Sequence, residues 1–188
     1  MIRFPIASIL SACTAGLLVF ATTVSAQAAS LEQSADAPRL HGPDQDFIAG
    51  ATTALSTQRD AARIATARST DREVKEFAER VSNDSAKLSG ELRAASPRGI
   101  DVPNNDPEVA VLDRIKNLRG GEFDRAYIEQ IALTGEQRAM STFQSEIASG
   151  RDEHLKDAAR NALPIIQAQY AQAQELAKRK HFAEGSAQ

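Results

Sequence analysis

The sequence predicts an all-α fold: four long amphipathic helices in two hairpins, joined by a crossover that carries one short helix. Three observations carry this. Apolar residues recur at helical spacing through four long stretches. The composition is alanine-rich, with 5% aromatic residues and no Trp, which suits closely packed helices better than a β-sandwich. Between the second and third stretches lies "SPRGIDVPNNDPE", punctuated by Pro97, Gly99, Pro103 and Pro107. That connection, roughly 25 residues with its short helix, can cross the length of a bundle about 35 Å long.

The chain opens on a targeting segment. Arg3 is followed by an apolar or small run from Ile6 to Thr22, then by the small-residue pattern Val24-Ser25-Ala26. That order reads as a signal peptide over residues 1–26, cleaved before Gln27. A retained membrane anchor is the weaker reading, because the run is short and broken by Ser and Thr. Leu10-Ser11-Ala12-Cys13 offers a third, a lipid anchor through Cys13, although the apolar run "AGLLVFA" follows the cysteine where a tether would be polar. Cleavage after Ala26 removes the only cysteine, leaving no disulfide or thiol chemistry. It also removes Arg3, so 22 basic residues become 21 against 25 acids, a net charge of −4. That balance gives no basic footprint for nucleic acid.

Residues 27–43 are rich in Ala, Ser, Gln, Asp and Pro and read as a flexible leader. The bundle domain is expected over residues 44–181, with a disordered tail at 182–188. The first helix runs from Asp44 to Ala67, with Phe47, Ala51, Leu55, Ala61, Ala62 and Ala65 on its apolar face and Gln58 in the same stripe. Thr70-Asp71-Arg72-Glu73 reads as a capping box opening the second helix. That helix runs to Ala95 on Val74, Phe77, Val81, Leu88 and Leu92, with Ser85 where an apolar residue is expected. Asn105 or Asp106 should cap the short helix, which holds Val109, Leu112 and Ile115 and stops at Gly120-Gly121. The third long helix is expected as one continuous α-helix from Glu122 to Ser149, ending on Gly150 as its C′ residue. The fourth runs from Asp152 to Lys180, with Pro164 as a kink. Two hairpins and one crossover make the layout of a ferritin-like four-helix bundle.

"DQDFIAGA", "EVKEFAERVSNDS", "GGEFDRAYIEQI" and "ALPIIQAQY" resemble signature stretches of a bacterial family, the domain of unknown function numbered four-one-four-two. The resemblance covers residues 44 to 178. It implies a ferritin-like, exported periplasmic or outer-membrane protein with no established enzymatic activity. The family pattern has Asp-His where this chain reads Asp84-Ser85, Asp-His where it reads Thr134-Gly135, His at Gln169 and Glu at Gln58. One carboxylate and three imidazoles would suit a transition metal. Gln58, Ser85, Gly135 and Gln169 would not, because amides and hydroxyls are weak ligands and glycine has no side chain. The resemblance thus marks these four as positions of a degenerate metal site. Gly135, a costly residue inside a helix, reads as a replaced ligand, and a methyl there should be tolerated.

Other candidates are weaker. His41, His154 and His181 lie off the apolar stripes. Asp84, Glu136 and Glu146 could form a residual carboxylate metal site. Their plainer readings are a helix-to-helix bond for Asp84, a solvent-facing Glu136, and a Glu146 paired with a basic residue. Phe123 and Tyr127 read as core packing. Phosphate-loop and dinucleotide fingerprints are lacking. The favoured function is a non-catalytic, exported helical-bundle protein of the periplasm or cell envelope. It would use no cofactor, bind an unidentified protein or envelope component, and act on no identified small-molecule substrate. The alternatives are a metal-binding ferritin-like protein for storage, sensing or oxidation, and an envelope protein anchored through Cys13.

Overall fold

The computed structural model describes residues 40–182. The expected signal peptide, the Cys13 alternative, and most of the leader and tail lie outside the described residues. Within them the chain is helical and contains no strand. Helix α1 spans Gly42–Arg68, α2 Arg72–Ala95, α3 Val109–Ile115, α4 Gly120–Ala126, α5 Thr134–Ser149 and α6 Glu153–Arg179. A π-helical segment, Tyr127–Leu133, links α4 to α5, so residues 120–149 form one long helix with a change of winding inside it.

Several boundaries differ from the sequence reading, each for a local reason. Helix α1 begins two residues early, because Pro43 is tolerated in a first turn, where its missing N–H would be unpaired anyway. Helix α2 is capped by Asp71 rather than Thr70. The Asp71 carboxylate accepts from Glu73 N at 2.9 Å and Val74 N at 3.2 Å, while Ser69 Oγ accepts from Asp71 N at 3.0 Å. Asp152 caps α6 in the same way, accepting from His154 N and Leu155 N. No side chain caps α3, whose N-cap is Glu108. Asn105 instead donates to Asp60 on α1 at 2.9 Å. Gly120 opens α4 with φ +58°, a left-handed conformation that glycine adopts without strain. Gly150 follows α5 with φ −62° and ψ 152°, so it is extended and not a left-handed C′ residue. Phe182, placed in the tail by sequence, packs partly buried on the core.

Helix α1 lies against α2 and α5, and α6 lies against α5 and α2. Alanine makes the approach close: Ala51, Ala61, Ala62 and Ala65 on α1 are fully buried. The apolar interior divides into two clusters. One holds Ala61, Val74, Phe77, Ile115, Phe123, Tyr127 and Leu176. The other holds Phe47, Leu55, Leu88, Phe143, Leu155 and Ile166. Each buried large side chain contributes roughly 1.5–3 kcal/mol. Aromatic pairs sit in both: Phe123 stacks on Tyr127 at 6.3 Å, and Phe47 meets Phe143 edge-on at 5.1 Å.

The crossover is strapped along α1. Ser56 Oγ accepts from Asp106 N at 3.1 Å, and Thr57 Oγ1 accepts from Glu108 N at 2.8 Å. Arg59 donates to Asn104 O at 3.2 Å. Val111 and Ile115 of α3 then reach the first cluster. Thus hydroxyls on α1 fix where the crossover runs.

Candidate functional site: a polar layer between two apolar clusters

Each long helix changes character at one height. On α1, Gln58 falls between Leu55 of one cluster and Ala61 of the other. On α2, Ser85 falls between Val81 and Leu88. On the third long helix, Gly135 and Glu136 fall between Ala132 and Ala139. On α6, Gln169 falls between Ile166 and Ala173. Gln58, Ser85, Glu136 and Gln169 are all buried. Four polar interruptions of four apolar stripes therefore make a layer that parts the core in two. Buried polar groups cost free energy unless bonded, so the bonds of this layer matter.

Two of those bonds cross between helices. Gln169 Nε2 on α6 donates to Asp84 Oδ2 on α2 at 3.0 Å. Gln58 Nε2 on α1 donates to Ile131 O in the π segment at 3.1 Å. The second bond also fixes the Gln58 amide, since only its nitrogen can give a hydrogen to that carbonyl. Its Oε1 is buried with no partner.

The Gln58 amide explains Gly135. A Cβ on Gly135 would stand 2.7 Å from Gln58 Nε2. The space is therefore occupied by the end of Gln58, and the expectation of free room for a methyl is corrected. Ser85 lies next to Asp84 in α2, and its carbonyl accepts from Ser89 Oγ at 2.7 Å.

Glu136 corrects the sequence reading most clearly. It does not face solvent; it is 1% exposed. Burial, and then the Asp84 charge, push its carboxyl up to about 8. Glu136 thus holds a proton at neutral pH. Burial, and then the charge that Glu136 carries once it has lost that proton, raise the Tyr127 hydroxyl above the ordinary phenol range. Tyr127 OH and Glu136 Oε1 are both buried without partners.

The π segment accounts for Tyr127 and Glu136 both facing the interior. They are nine positions apart, and nine steps of about 100° in an α-helix leave two residues on opposite sides. The wider π turns rotate the chain less per residue and bring them round. Thr134 Oγ1 donates to Glu129 O, five residues back, at 2.9 Å, matching the longer step. A stripe read at α-helical spacing admits 135, and the structure puts both Gly135 and the buried Glu136 at the level of the layer.

A second buried acid lies near the α5–α6 turn. Glu146 does not pair with a basic residue. It is buried and faces the Asp44 carboxyl. Burial, then the Asp44 charge, push it up to about 7. Asp44 Oδ1 itself accepts from Arg151 N at 2.8 Å and Asp152 N at 3.3 Å, pinning the turn to the start of α1. The Glu146 carboxyl also stands where a side chain at Gly150 would go.

The histidines take no part in the layer. His41 precedes α1, His154 is exposed in the first turn of α6, and His181 follows α6 at φ +56°. Among the described residues no group of three or more His, Cys, Asp or Glu could hold a metal ion. No helix among them is long and apolar enough to cross a membrane.

The comparisons with known proteins agree with this architecture. A search of the curated proteins found no match. The fold is similar to the crystal structure of a DUF305 protein from Streptomyces coelicolor that is described as secreted, with a TM-score of 0.61. The two share 14% identity over 74% of this chain and 92% of the other, so the likeness is one of fold. The family model described as a domain of unknown function, DUF4142, matches residues 29–176. With most of its length matched, the chain belongs to that family.

Proposed function

We propose that the chain is an exported, non-catalytic helical-bundle protein of the periplasm or cell envelope that acts by binding a protein or envelope component. Its long helices are read as the two hairpins of a ferritin-like four-helix bundle, with α3 in the crossover. The polar layer is read as a metal site that has lost its ligands. One observation carries the reading: at the level of Gln58 and Gly135, an amide fills the space and is bonded to backbone. Gln169 likewise spends its amide on Asp84. The buried carboxyl in this layer, Glu136, is held protonated, and a protonated carboxyl is a poor ligand.

Export is supported by the order of Arg3, the apolar run and Val24-Ser25-Ala26, and by the secreted description of the DUF305 protein of similar fold. Metal analysis of protein purified without added metal tests the central claim, with N-terminal sequencing alongside. Iron, zinc and manganese far below one ion per chain, and a start at Gln27, are expected. One tightly held ion per chain would overturn the metal claim. A lipidated Cys13 would move the protein to a membrane anchor.

A further inference from the structure

Two acids from distant parts of the chain meet at one buried point. The last turn of α5 supplies Glu146, the first turn of α1 supplies Asp44, and both are 1% exposed. Asp44 already holds the α5–α6 turn, since its Oδ1 accepts from Arg151 N at 2.8 Å and Asp152 N at 3.3 Å. Glu146 adds a second tie, a hydrogen bond between the two carboxyls. One carboxyl donates to another only while it holds a proton. Gly150 makes the room for this arrangement, because a side chain there would stand on the Glu146 carboxyl.

Three charged groups act on Glu146. Asp44 from α1 and Asp152 from the turn oppose its ionisation, and Lys156 from α6 favours it. Lys156 is shared with Glu153, to which it donates at 3.0 Å. Burial and Asp44 outweigh it and push the Glu146 carboxyl up to about 7. Glu146 also lines a surface cleft of about 370 Å³, together with Phe47, Ser145 and the exposed Asp46. The cleft gives its proton a way out to solvent while the bundle stays folded.

We propose that Asp44 and Glu146 form a proton-operated clasp, which holds the α5–α6 turn against the start of α1 while the two carboxyls share a proton and releases it when that proton is lost. Two carboxylates then face each other, with Asp152 beside them, where little water screens the charges. Parting the turn from α1 relieves the repulsion. The clasp lies where the chain enters the bundle, next to Leu40, which packs on the second cluster. It uses neither the polar layer nor a metal.

The sign follows from the proton. An opened, solvated Glu146 returns toward 4.5, so closure is fully favoured below that value and is lost as pH rises through about 7. Between pH 6 and pH 8 the closed form should lose about tenfold against the open one. Amide hydrogen exchange on the full mature protein tests this, with each rate taken relative to the intrinsic rate at its pH. Glu136→Gln serves as the background, because it removes the other acid that titrates in this window. Protection of the Arg151 and Asp152 amides should fall about tenfold. The Glu73 and Val74 amides are the control and should hold, since their acceptor, Asp71, is kept below the usual carboxylate range by Lys180. Adding Glu146→Gln, which keeps a donor at every pH, should remove the fall. Adding Asp44→Asn instead keeps an acceptor for the two amides and removes the charge. It should move the fall to lower pH, and it carries the test if Glu146→Gln fails to fold. Equal protection at the two pH values overturns the proposal. So does an equal fall at Glu73 and Val74, or a fall that persists in Glu146→Gln.

Discussion

Replacing Glu136 by glutamine should make the protein more stable, and only on the alkaline side. The carboxyl is 1% exposed, and burial together with Asp84 raises it from 4.5 to about 8. The native chain therefore keeps a proton that the unfolded chain has released anywhere between those values. The stability this group contributes is complete below about 4.5. It falls as pH rises through the window and stops falling above about 8. Each pH unit inside the window removes about 1.4 kcal/mol, and the whole window is worth on the order of several kcal/mol. That is a large share of the roughly 5–15 kcal/mol that holds a domain folded. Glu146, raised to about 7, adds to the slope in the same direction. Glu136→Gln keeps the shape of the protonated acid and carries no charge at any pH. Urea unfolding at pH 5 and pH 8.5 is the assay. The variant should match the wild type at pH 5 to within about 1 kcal/mol and exceed it by a few at pH 8.5. A variant whose stability falls with pH as steeply as the wild type's would refute the assignment of that proton to Glu136.

Two further outcomes test the close contacts. Gly135→Ala gains roughly 1 kcal/mol of helix propensity but displaces the Gln58 amide from Ile131 O, which costs about 1 kcal/mol, so the single change should be near neutral. In a Gln58→Ala background the same change should stabilise by about 1 kcal/mol, and thermal unfolding of the four proteins of that cycle measures the coupling. Gly150→Ala should cost about 1–3 kcal/mol, because the Glu146 carboxyl and its carbonyl oxygen, at 2.7 Å, occupy the position of the new methyl. Glu146→Ala should relieve the carboxyl's share of that cost and leave the share due to the backbone oxygen, and an unchanged midpoint for Gly150→Ala alone would contradict the contact.

The reading of the sequence reached the four long helices because their stripes are strongly periodic and their ends carry ordinary cap chemistry. It singled out Gln58, Ser85, Gly135 and Gln169 because each interrupts such a stripe. It placed Phe123 and Tyr127 in the core, where they lie, but read Glu136 as facing solvent. Periodicity assumes one winding throughout, and nothing in "YIEQIAL" marks a π turn by composition. Gly150 was found but explained wrongly. Ser69 and Ser96 end their helices in the same extended conformation, so the backbone there does not require glycine. The requirement comes from Glu146, four residues back, whose carboxyl and backbone oxygen both stand where a Cβ would go, and helical periodicity does not say that a carboxyl folds back this way. Asp44 was legible only as an acid in a first turn. Its bonds to Arg151 N and Asp152 N join residues 107 and 108 positions apart, beyond any local pattern.

The π segment also changes what residue number means along this helix. Its seven residues, Tyr127–Leu133, accommodate one residue more than an α-helical ladder between the same two ends would use. Chain length, rather than side-chain identity, is what offers the Ile131 carbonyl to Gln58. Deleting a single residue within 128–133 lets the hydrogen-bond ladder close as ordinary α-helix while α4 and α5 stay where they are. Deleting a single residue inside α5 instead turns everything beyond it by about 100° and carries Phe143 and Glu146 off the core. The helix thus has one place where its length can be edited without resetting the face it presents, and that place lies beside the polar layer.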